Sequence, residues 1–598
     1  MFDNLFQVKN LFQEKLVQKE ILPEIPTTFK LPITYLDSNR IHLLSETVSN
    51  DLELFHSPTN NAMYNQLFKP KNGFANKMIP EWNKHFTTDV AFLEDTKQVL
   101  QDMPKFKELL STNTNTYSVD YDKLTEIWTH TKTNPEFLTK YSYIEWDFLK
   151  QFNQSSSFLQ YVSFIQLMSP LISLFLPVLL LLFPFLILKA QGMPITFELY
   201  SEVLKSIASN HFIGKALSSM DTLTPDKVVY IVFTMGIYLF QIYQNMNQCN
   251  HFYKNIYRIN DYLLELQKYI QYSIHSMTNF IEIHRNKVTF TPFLTETGKY
   301  VENLQCFYNE LVHIQPFEYS FSKIGELGYM LKCFYELHSN QIYEKAISYS
   351  FGFEGYINNL LGVAENLEEG IVSFSQFDTS GNCNIVKQYY PILCNNDTIV
   401  KNNIEFDKNI IISAPNAGGK TTMIKTTAIN IIFSQQLGCG FYKSCVLNPY
   451  THIHSYLNIP DTSERDSLFQ AESRRCKDII DIIQENNTVH HRHFCIFDEL
   501  YSGTNPTEAT KSAYAFLTYL SKFSNVNFML TTHYITICKK FIKSDRIQNY
   551  KMLVHELDSG VLDYTYKMKR GISKIQGAIT ILKQLNYPQE IIDTIASF

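Results

Sequence analysis

The sequence lacks clustered cysteines, an excess of positive charge and internal repeats. Its ten cysteines are scattered without a Cys-x-x-Cys pair, which argues against a zinc site and favours reduced thiols in a cytosol-like compartment. A net charge of -6 excludes a wholly basic nucleic-acid coat, although a local basic groove remains compatible with it. Charges occur throughout the first residues, MFDNLFQVKNLFQEKLVQKE, and therefore predict a short amphipathic helix and no signal peptide.

Apolar and aromatic residues are abundant, at 45% and 14% of the 598 residues. This composition is typical of a folded chain, and the length allows three or four domains. Residues 1–40 are predicted to form an N-terminal helical segment and residues 41–157 a helical region. Residues 246–390 are predicted to form long helices of a lever or core. Their apolar face recurs at helical spacing at Ile256, Ile259, Leu263, Leu266 and Ile270.

Two uncharged runs lie between these helical regions. No charged residue occurs from Phe152 to Leu188, and the part at about 162–188 has the length of a membrane span, which needs about 20 apolar residues. The second run, at about 228–245, is shorter and more polar at its end. Together they predict a transmembrane hairpin over 158–245 with both chain ends on one side.

The alternative is a pair of helices buried in a soluble bundle. Pro170, Pro177 and Pro184 bear on this choice, because an interior proline costs a soluble helix about 3 kcal/mol. A spanning helix tolerates proline when neighbouring groups satisfy the carbonyls that it frees. The prolines therefore favour the membrane hairpin.

A phosphate-binding loop is predicted after a short apolar strand, Asn409 to Ser413. Glycines in the loop let backbone N–H groups approach phosphates, Lys420 can reach the β- and γ-phosphates, and the Thr421 hydroxyl can ligate Mg²⁺. The general pattern begins with glycine, and Ala414 fits there if its φ stays negative. ATP and Mg²⁺ are the predicted cofactors. The predicted nucleotide-binding residues of the loop are Ala414, Pro415, Asn416, Ala417, Gly418, Gly419, Lys420, Thr421 and Thr422.

Two later strands carry further candidate residues. The strand Phe494 to Phe497 ends in Asp498 and Glu499, adjacent carboxylates that repel each other and have little structural use without a metal. Asp498 is predicted to hold Mg²⁺ together with Thr421. Glu499 is predicted to polarise the attacking water. A third strand is predicted in NVNFMLTTHY, and His533 at its end is predicted to sense the γ-phosphate or to position the water. Glu499, His533 and Lys420 are thus the predicted catalytic residues.

The combination APNAGGKTT, DSLFQAE, FDELYSGTNP and TTHY resembles the MutS family of DNA mismatch-repair ATPases over residues 395–598. The resemblance implies an α/β P-loop ATPase domain at 391–570, C-terminal to the mainly helical core, and a helical dimerisation segment at 571–598. It implies ATP hydrolysis by a homodimer or heterodimer with composite sites. In the family signature, Ser467, accompanied by Phe469 and Glu472, serves the nucleotide of the partner subunit. Asn416 would lie along the nucleotide, and Ile399 and Val400 would pack on the adenine.

DNA is a partner implied by the same resemblance. The helical core would begin near residue 40, which leaves too little chain before it for the mismatch-reading domain of the family. Phe-x-Glu matches at Phe12, Phe92 and Phe106 stand in unsuitable contexts, so any DNA binding is expected to be insensitive to mismatches.

Two functions remain open at this point. The first is a membrane-tethered, DNA-binding ATPase in DNA repair or maintenance, with the ATPase domain on the cytosolic side of the membrane. The second is an ATPase that uses the same type of ATPase domain for membrane remodelling or transport and does not bind DNA. An inactive interaction protein is disfavoured, because the motif residues are intact.

Overall fold

A computed structural model describes residues 28–58, 61–113, 117–210, 225–317, 321–379, 381, 383–394, 399–457, 459, 467–488, 490–556, 562–574, 582 and 587–597. Two compact units are found. The first takes its described residues from 117–274 and 302–347, and the second from 27–116, 275–301 and 348–598. Most of the predicted N-terminal segment, up to residue 27, lies outside the described residues.

Helices dominate the described chain up to residue 368. In chain order they are α1 (Glu46–Asp51), α2 (Met63–Phe68), α3 (Gly73–Trp82), α4 (Val90–Asn113), α5 (Tyr121–Trp128), α6 (Phe137–Lys140), α7 (Ser156–Ala190), α8 (Phe197–Asn210), α9 (Pro225–His284), α10 (Thr291–Leu311), α11 (Phe321–Ser339) and α12 (Gln341–Glu368). Short helices of 3-10 or π type lie at Pro32–Tyr35, Thr129–Thr133, Asp147–Gln154, Val288–Phe290 and Pro391–Leu393.

The region 41–157 also contains a small antiparallel sheet that the helical prediction did not include. Its strands are β1 (Ile41–Leu43) and β2 (His85–Thr87), and Ile41 lies opposite Thr87. Strands of three residues are too short for the two-residue alternation that identifies a strand in a sequence.

The first unit is built from helices. The apolar face predicted for α9 is buried there, since each of its five members has at most 2% of its surface exposed: Ile256, Ile259, Leu263, Leu266 and Ile270. An ion pair of 2.8 Å between Lys123 and Asp261 joins α5 to α9. Helices α7 and α11 approach closely at Gly328, where a Cβ atom would lie 2.1 Å from the carbonyl oxygen of Ser156.

Three prolines lie inside α7 without ending it. A proline removes the hydrogen bond to the carbonyl four residues before it. For Pro170 that carbonyl belongs to Gln166, and it accepts a hydrogen bond of 3.0 Å from the Ser169 hydroxyl. For Pro177 it belongs to Ser173, and the hydroxyl of Tyr238 in α9 donates to it at 2.9 Å. Neighbouring hydroxyls therefore satisfy two of the freed carbonyls.

Within the described residues, one helical stretch, Ser156–Phe175 at the start of α7, is long and apolar enough to cross a membrane. The second predicted run, 228–245, lies in α9 and does not meet this requirement, so the hairpin of two spans is not supported. The physical reason is that the run becomes polar at Gln241 and Asn245 before it reaches a span's length.

The described residues of the second unit form eleven strands in addition to β1 and β2. These are β3 (Ser373–Phe377), β4 (Asn384–Gln388), β5 (Asn402–Glu405), β6 (Asn409–Ser413), β7 (Cys439–Gly440), β8 (Ser444–Leu447), β9 (His452–Tyr456), β10 (His493–Asp498), β11 (Val526–Thr532), β12 (Ile547–Glu556) and β13 (Leu562–Arg570). The helices between and after them are α13 (Lys420–Leu437), α14 (Leu468–Glu485), α15 (Pro506–Leu520), α16 (Ile535–Lys540) and α17 (Gln589–Ser597).

The strands form two sheets. The six-stranded sheet has the order β13-β12-β6-β11-β10-β9, in which the strands β12 to β9 are parallel and β13 is an antiparallel edge. The five-stranded sheet has the order β5-β4-β8-β3-β7. Strands β3 and β4 precede residue 391, where the sequence placed the start of the ATPase domain; the polar residues in both strands give no run of apolar side chains to mark them.

Helix α13 begins at the phosphate-binding loop and is buried on nearly all sides. The residues before β3 cover its last turn. The side-chain amide of Gln436 donates to the carbonyls of Trp82 and His85 at 2.6 and 2.8 Å and accepts from the Tyr64 hydroxyl at 3.1 Å. The polar groups that this burial removes from water are thus satisfied.

The segment 571–598 was predicted to be helical. Its described residues include α17, and most residues from 575 to 586 lie outside the described part of the chain.

Candidate nucleotide site

The candidate residues lie where three neighbouring parallel strands end. Strand β11 pairs with β6 on one side and with β10 on the other, and its register sets Thr532 beside Ser413 and Thr531 beside Asp498. Ligand sites of parallel sheets form at the carboxyl ends of the strands, because the loops that follow them converge there. This edge of the sheet brings the predicted loop, the carboxylate pair and the histidine together.

The loop between β6 and α13 places glycine where the backbone requires it. Gly419 has φ of 80° and stands directly before α13. A Cβ atom at Gly419 would also lie 3.0 Å from Cδ1 of Tyr566. Ala414 is not among the residues with positive φ, which meets the condition set for alanine at the first position of the loop, whereas Ala417 has φ of 64°.

Lys420 is buried at the start of α13, with 6% of its side chain exposed. Its ammonium donates to the carbonyl of Ala414 at 2.9 Å and lies 3.5 Å from Oδ1 of Asn416. It also forms an ion pair of 3.3 Å with Glu499. A buried ammonium held by a carbonyl and a carboxylate is available to an entering phosphate group, which offers stronger charge-assisted bonds.

Asp498 accepts hydrogen bonds from two threonines. Thr421 donates to Oδ2 at 2.7 Å, and the Thr531 hydroxyl donates to Oδ1. Oxygen ligands are those that Mg²⁺ prefers, and it is usually held by one or two carboxylates plus phosphate oxygens and water. The hydroxyl of Thr421 and the carboxylate of Asp498 therefore fit the predicted Mg²⁺ ion.

Glu499 has a left-handed backbone, with φ of 49°, and its N–H donates to the carbonyl of Thr531 at 3.0 Å. Its carboxylate lies between Lys420 and His533, whose Nδ1 is 3.4 Å from Oε1. The imidazole of His533 is 44% exposed. Burial, and secondly the charge of Glu499, raise the pKa of the neighbouring Tyr534 phenol.

A cavity of about 360 Å³ opens beside the loop. Ile399 and Val400, the residues predicted to pack on adenine, line it together with Gly419 and Thr422 of the loop. Its other lining residues are Gln388, Tyr389, Tyr390, Leu393, Asn402, Met423, Thr426, Met552 and Tyr566. An apolar and aromatic cavity next to a phosphate loop has the composition expected of a base pocket.

Residues 410–597 match the family model described as MutS domain V, from β6 to α17. This part of the chain is similar to MutS domain V. Similar curated proteins include the endonuclease MutS2 of Staphylococcus haemolyticus, which is 31% identical over 209 residues, or 34% of this chain and 25% of that protein. The endonuclease MutS2 of Streptococcus uberis is 30% identical over 218 residues, which is 35% of this chain and 26% of that protein. The chain thus spans about a quarter of the length of these relatives.

The signature of domain V lies at the start of α14. Ser467 caps this helix: its hydroxyl accepts from the N–H of Gln470, and the Gln470 side chain accepts from the N–H of Ser467 at 2.9 Å. Ser467 is exposed and does not bond to the phosphate loop. The structure therefore gathers Lys420, Thr421, Asp498, Glu499 and His533 at one site and leaves Ser467 outside it.

Sequence reasoning missed several residues of the domain V site. Thr531 was quoted within TTHY without a role, although its hydroxyl binds Asp498. Tyr566 and Met552 line the cavity beside the loop and come from the β12–β13 hairpin, more than 130 residues after the loop. Asn402 fixes this hairpin, because its side chain donates to the carbonyl of Tyr566 at 3.0 Å and accepts from the N–H of Met568 at 2.8 Å. No local motif marks such contacts.

Proposed function

We propose that the chain is an ATPase that binds Mg²⁺–ATP at domain V and hydrolyses it to ADP and phosphate. The observation that carries the proposal is the contact of Lys420 and His533 with Glu499, beside the Thr421–Asp498 pair, at the ends of three parallel strands. Each of these groups has a chemical use in phosphoryl transfer, and together they form the recurring set of P-loop enzymes.

The roles follow from the positions. The loop N–H groups and Lys420 hold the phosphates, and Thr421 with Asp498 holds Mg²⁺, which neutralises charge on the phosphate oxygens. Glu499 accepts a proton from the attacking water, and His533 orients this carboxylate from the exposed side. Ile399 and Val400 pack on the adenine.

Two variants test these roles. Lys420→Ala removes a charged contact to phosphate and should weaken ATP binding about tenfold or more. Glu499→Gln should leave ATP binding within about twofold and slow turnover about a hundredfold, because only the proton acceptor is lost. Nucleotide affinity and phosphate release measure the two effects. The exposed Lys511→Ala and Glu485→Gln are matched controls. Normal turnover in Glu499→Gln would remove that residue from the mechanism.

The active form is proposed to be a dimer, with Ser467 of each chain completing the nucleotide site of its partner. The supporting observation is that Ser467 is exposed at a helix N-terminus, a position suited to bind an anion. Mixing Ser467→Ala chains with Lys420→Ala chains should restore part of the activity, since one of the two composite sites stays whole. Mixed dimers as inactive as their parents would contradict independent composite sites.

DNA maintenance is the proposed process, on the basis of the domain V match and the relatives named MutS2. Lys254 and Lys268, exposed on α9, and Lys287 after it are candidate phosphate contacts. Binding to a perfect duplex, a mismatched duplex and a branched junction should be compared at two salt concentrations. Contact with phosphates alone would give similar affinities for the first two and a steep salt dependence. No binding to any of the three at low salt would exclude a DNA-binding function.

A second candidate function is an ATPase of a membrane, tethered through α7, with α9 beside it. It is favoured by the large apolar side chains that both helices expose, including Leu174 and Phe175 on α7 and Phe233 and Phe240 on α9, each more than half exposed. Exposed apolar patches of this kind mark interaction sites with lipid or protein. Carbonate washing of cell membranes should leave the chain in the pellet. ATPase activity measured in detergent with and without DNA separates the two functions: stimulation by DNA supports the first.

A further inference from the structure

A single carboxylate holds the loop that follows Glu499. Glu472 lies in α14 with 2% of its surface exposed. Its Oε1 accepts from the N–H and the hydroxyl of Ser502 at 2.9 and 2.8 Å, and its Oε2 accepts from the N–H of Gly503 at 3.1 Å. Both oxygens are therefore engaged in charge-assisted bonds, which are stronger than bonds between neutral groups.

The same loop packs against the first turn of α14 without a gap. A Cβ atom at Gly503 would lie 2.8 Å from Cγ of Leu468 and 2.8 Å from the backbone nitrogen of Phe469. The rings of Phe469 and Tyr501 lie 5.6 Å apart. Because packed side chains leave no free volume to absorb a displacement, the start of α14 and this loop must shift together.

The backbone of the loop depends on this support. Glu499 and Tyr501 have φ of 49° and 59°, a left-handed conformation that is unfavourable for a residue other than glycine. Such a conformation persists when the surroundings determine it. The carbonyl of Thr531 holds the N–H of Glu499 on one side, and Glu472 holds the loop on the other. The orientation of the catalytic candidate Glu499 therefore depends on α14.

Helix α14 thus carries two groups that act on the nucleotide sites of different chains. Ser467, at its exposed end, is the residue proposed to serve the nucleotide of the partner. Glu472, five residues later and buried, holds the loop beside the nucleotide site of its own chain. A rigid helix that joins two sites can couple them, since any shift at one end is transmitted to the other.

We propose that Glu472 is a positioning residue that makes turnover at Glu499 in one chain depend on the nucleotide bound by its partner. The proposal rests on the proposed dimer with shared sites. When Ser467 binds the nucleotide of the partner, α14 is held in one position. Because Glu472 is hydrogen-bonded to Ser502 and Gly503, the loop that carries Glu499 is then held in one position as well. Without that engagement the loop is free to leave the catalytic orientation.

The test compares mixed dimers of full-length chains. One chain carries Lys420→Ala, so that its own nucleotide site is empty, and the other is either unchanged or carries Glu472→Gln. The glutamine keeps the shape of the side chain but replaces one accepting oxygen with a donor. The exposed Glu485→Gln, on the same helix, is the matched control. Turnover per intact site is compared between mixed dimers and the corresponding dimers with two intact sites.

For unchanged chains, emptying the partner site should lower turnover per intact site about fivefold or more, the usual range of coupling between sites. For Glu472→Gln, turnover should already be low, at about a tenth or less of normal, with ATP affinity within about twofold, and emptying the partner site should lower it no further. This loss of coupling is a result that a purely structural role would not produce. Glu485→Gln should behave like the unchanged chain.

The proposal would be overturned if emptying the partner site lowered turnover per intact site by the same factor in Glu472→Gln as in the unchanged chain. It would also be overturned if emptying the partner site had no effect on turnover per intact site in the unchanged chain. If the unchanged chain does not hydrolyse ATP, the proposed function itself fails. If Glu472→Gln does not fold, Ser502→Ala decides, because it removes the 2.8 Å hydroxyl bond and keeps both backbone bonds. Partial loss of coupling in Ser502→Ala supports the proposal, and full coupling contradicts it.

Discussion

Acid should loosen the edge of the six-stranded sheet, where imidazoles cluster. The rings of His452 and His493 lie 4.6 Å apart, and Nε2 of His454 lies 3.1 Å from Nδ1 of His493. His42 and His491 are further neighbours of His452. Burial, followed by the charge of neighbouring histidines, lowers the pKa of His454 to about 3 and that of His493 to about 4.

The sign and size of the effect follow from proton uptake. In the unfolded chain both histidines have a pKa near 6.5. Below that pH the unfolded state therefore binds more protons than the folded state, in which the histidines stay neutral. Their contribution to stability is complete above pH 6.5 and is lost as the pH falls from 6.5 towards 4 for His493 and towards 3 for His454. At pH 5 the fall of 1.5 units below 6.5 removes about 2 kcal/mol for each histidine.

Hydrogen exchange of the amides in β9 and β10 measures this loss locally. The exchange rates are divided by the intrinsic rates at each pH, so that the protection factor reports the opening of the sheet edge. Between pH 7.5 and pH 5 the protection factor should fall about 30-fold for each histidine that the opening exposes. His454→Gln should weaken this pH dependence by about one such factor, because glutamine does not titrate.

The exposed His490→Gln is the matched control and should keep the full dependence. Equal protection factors at pH 7.5 and pH 5 would refute the reasoning. An unchanged pH dependence in His454→Gln would show that His454 does not contribute to the loss of stability in acid.

Three further predictions concern the loop, the metal and the buried helix. Gly419→Ala should weaken ATP binding about tenfold, because φ of 80° disfavours a side chain and the new Cβ would press on Tyr566; equilibrium binding measures this, and unchanged affinity would contradict it. Asp498→Asn should abolish the Mg²⁺ dependence of ATP affinity, measured by titration with and without EDTA, whereas a preserved dependence would place the ion elsewhere. Gln436→Leu should destabilise the second unit by about 2 kcal/mol or more, seen as a lower urea midpoint, because the carbonyl of His85 loses this donor and that of Trp82 is left with the longer bond, 3.2 Å, from the Tyr64 hydroxyl.

The phosphate loop could be predicted from the sequence because its function depends on consecutive residues. The strand Asn409–Ser413 has the predicted bounds, and α13 opens at Lys420 directly after the two glycines. Strand β10 extends the predicted Phe494 to Phe497 by one residue at each end. A buried parallel strand is a short apolar run, and such a run is readable without knowledge of its neighbours.

The membrane-spanning hairpin was predicted from composition. Composition alone does not distinguish an apolar helix that faces lipid from one that packs against protein. The prolines of α7 illustrate the limit. Their compatibility with a helix depends on whether a hydroxyl reaches each freed carbonyl, and for Pro177 that hydroxyl comes from Tyr238, sixty-one residues further along the chain. The sequence contained both residues but not their contact.

By itself, then, the sequence determined the local parts of the candidate nucleotide site. These are the loop, the strand ends and the order of Lys420, Asp498, Glu499 and His533 along the chain. Only the tertiary structure decided which distant groups complete it. Tyr566 lines the cavity beside the phosphate loop, and Glu472 contacts the loop after Glu499, through the packing of elements that are far apart in sequence. The reason is physical. Backbone conformation follows local residues, whereas hydrogen-bond partners and cavity walls follow from how strands and helices pack, which a motif of a few residues does not encode.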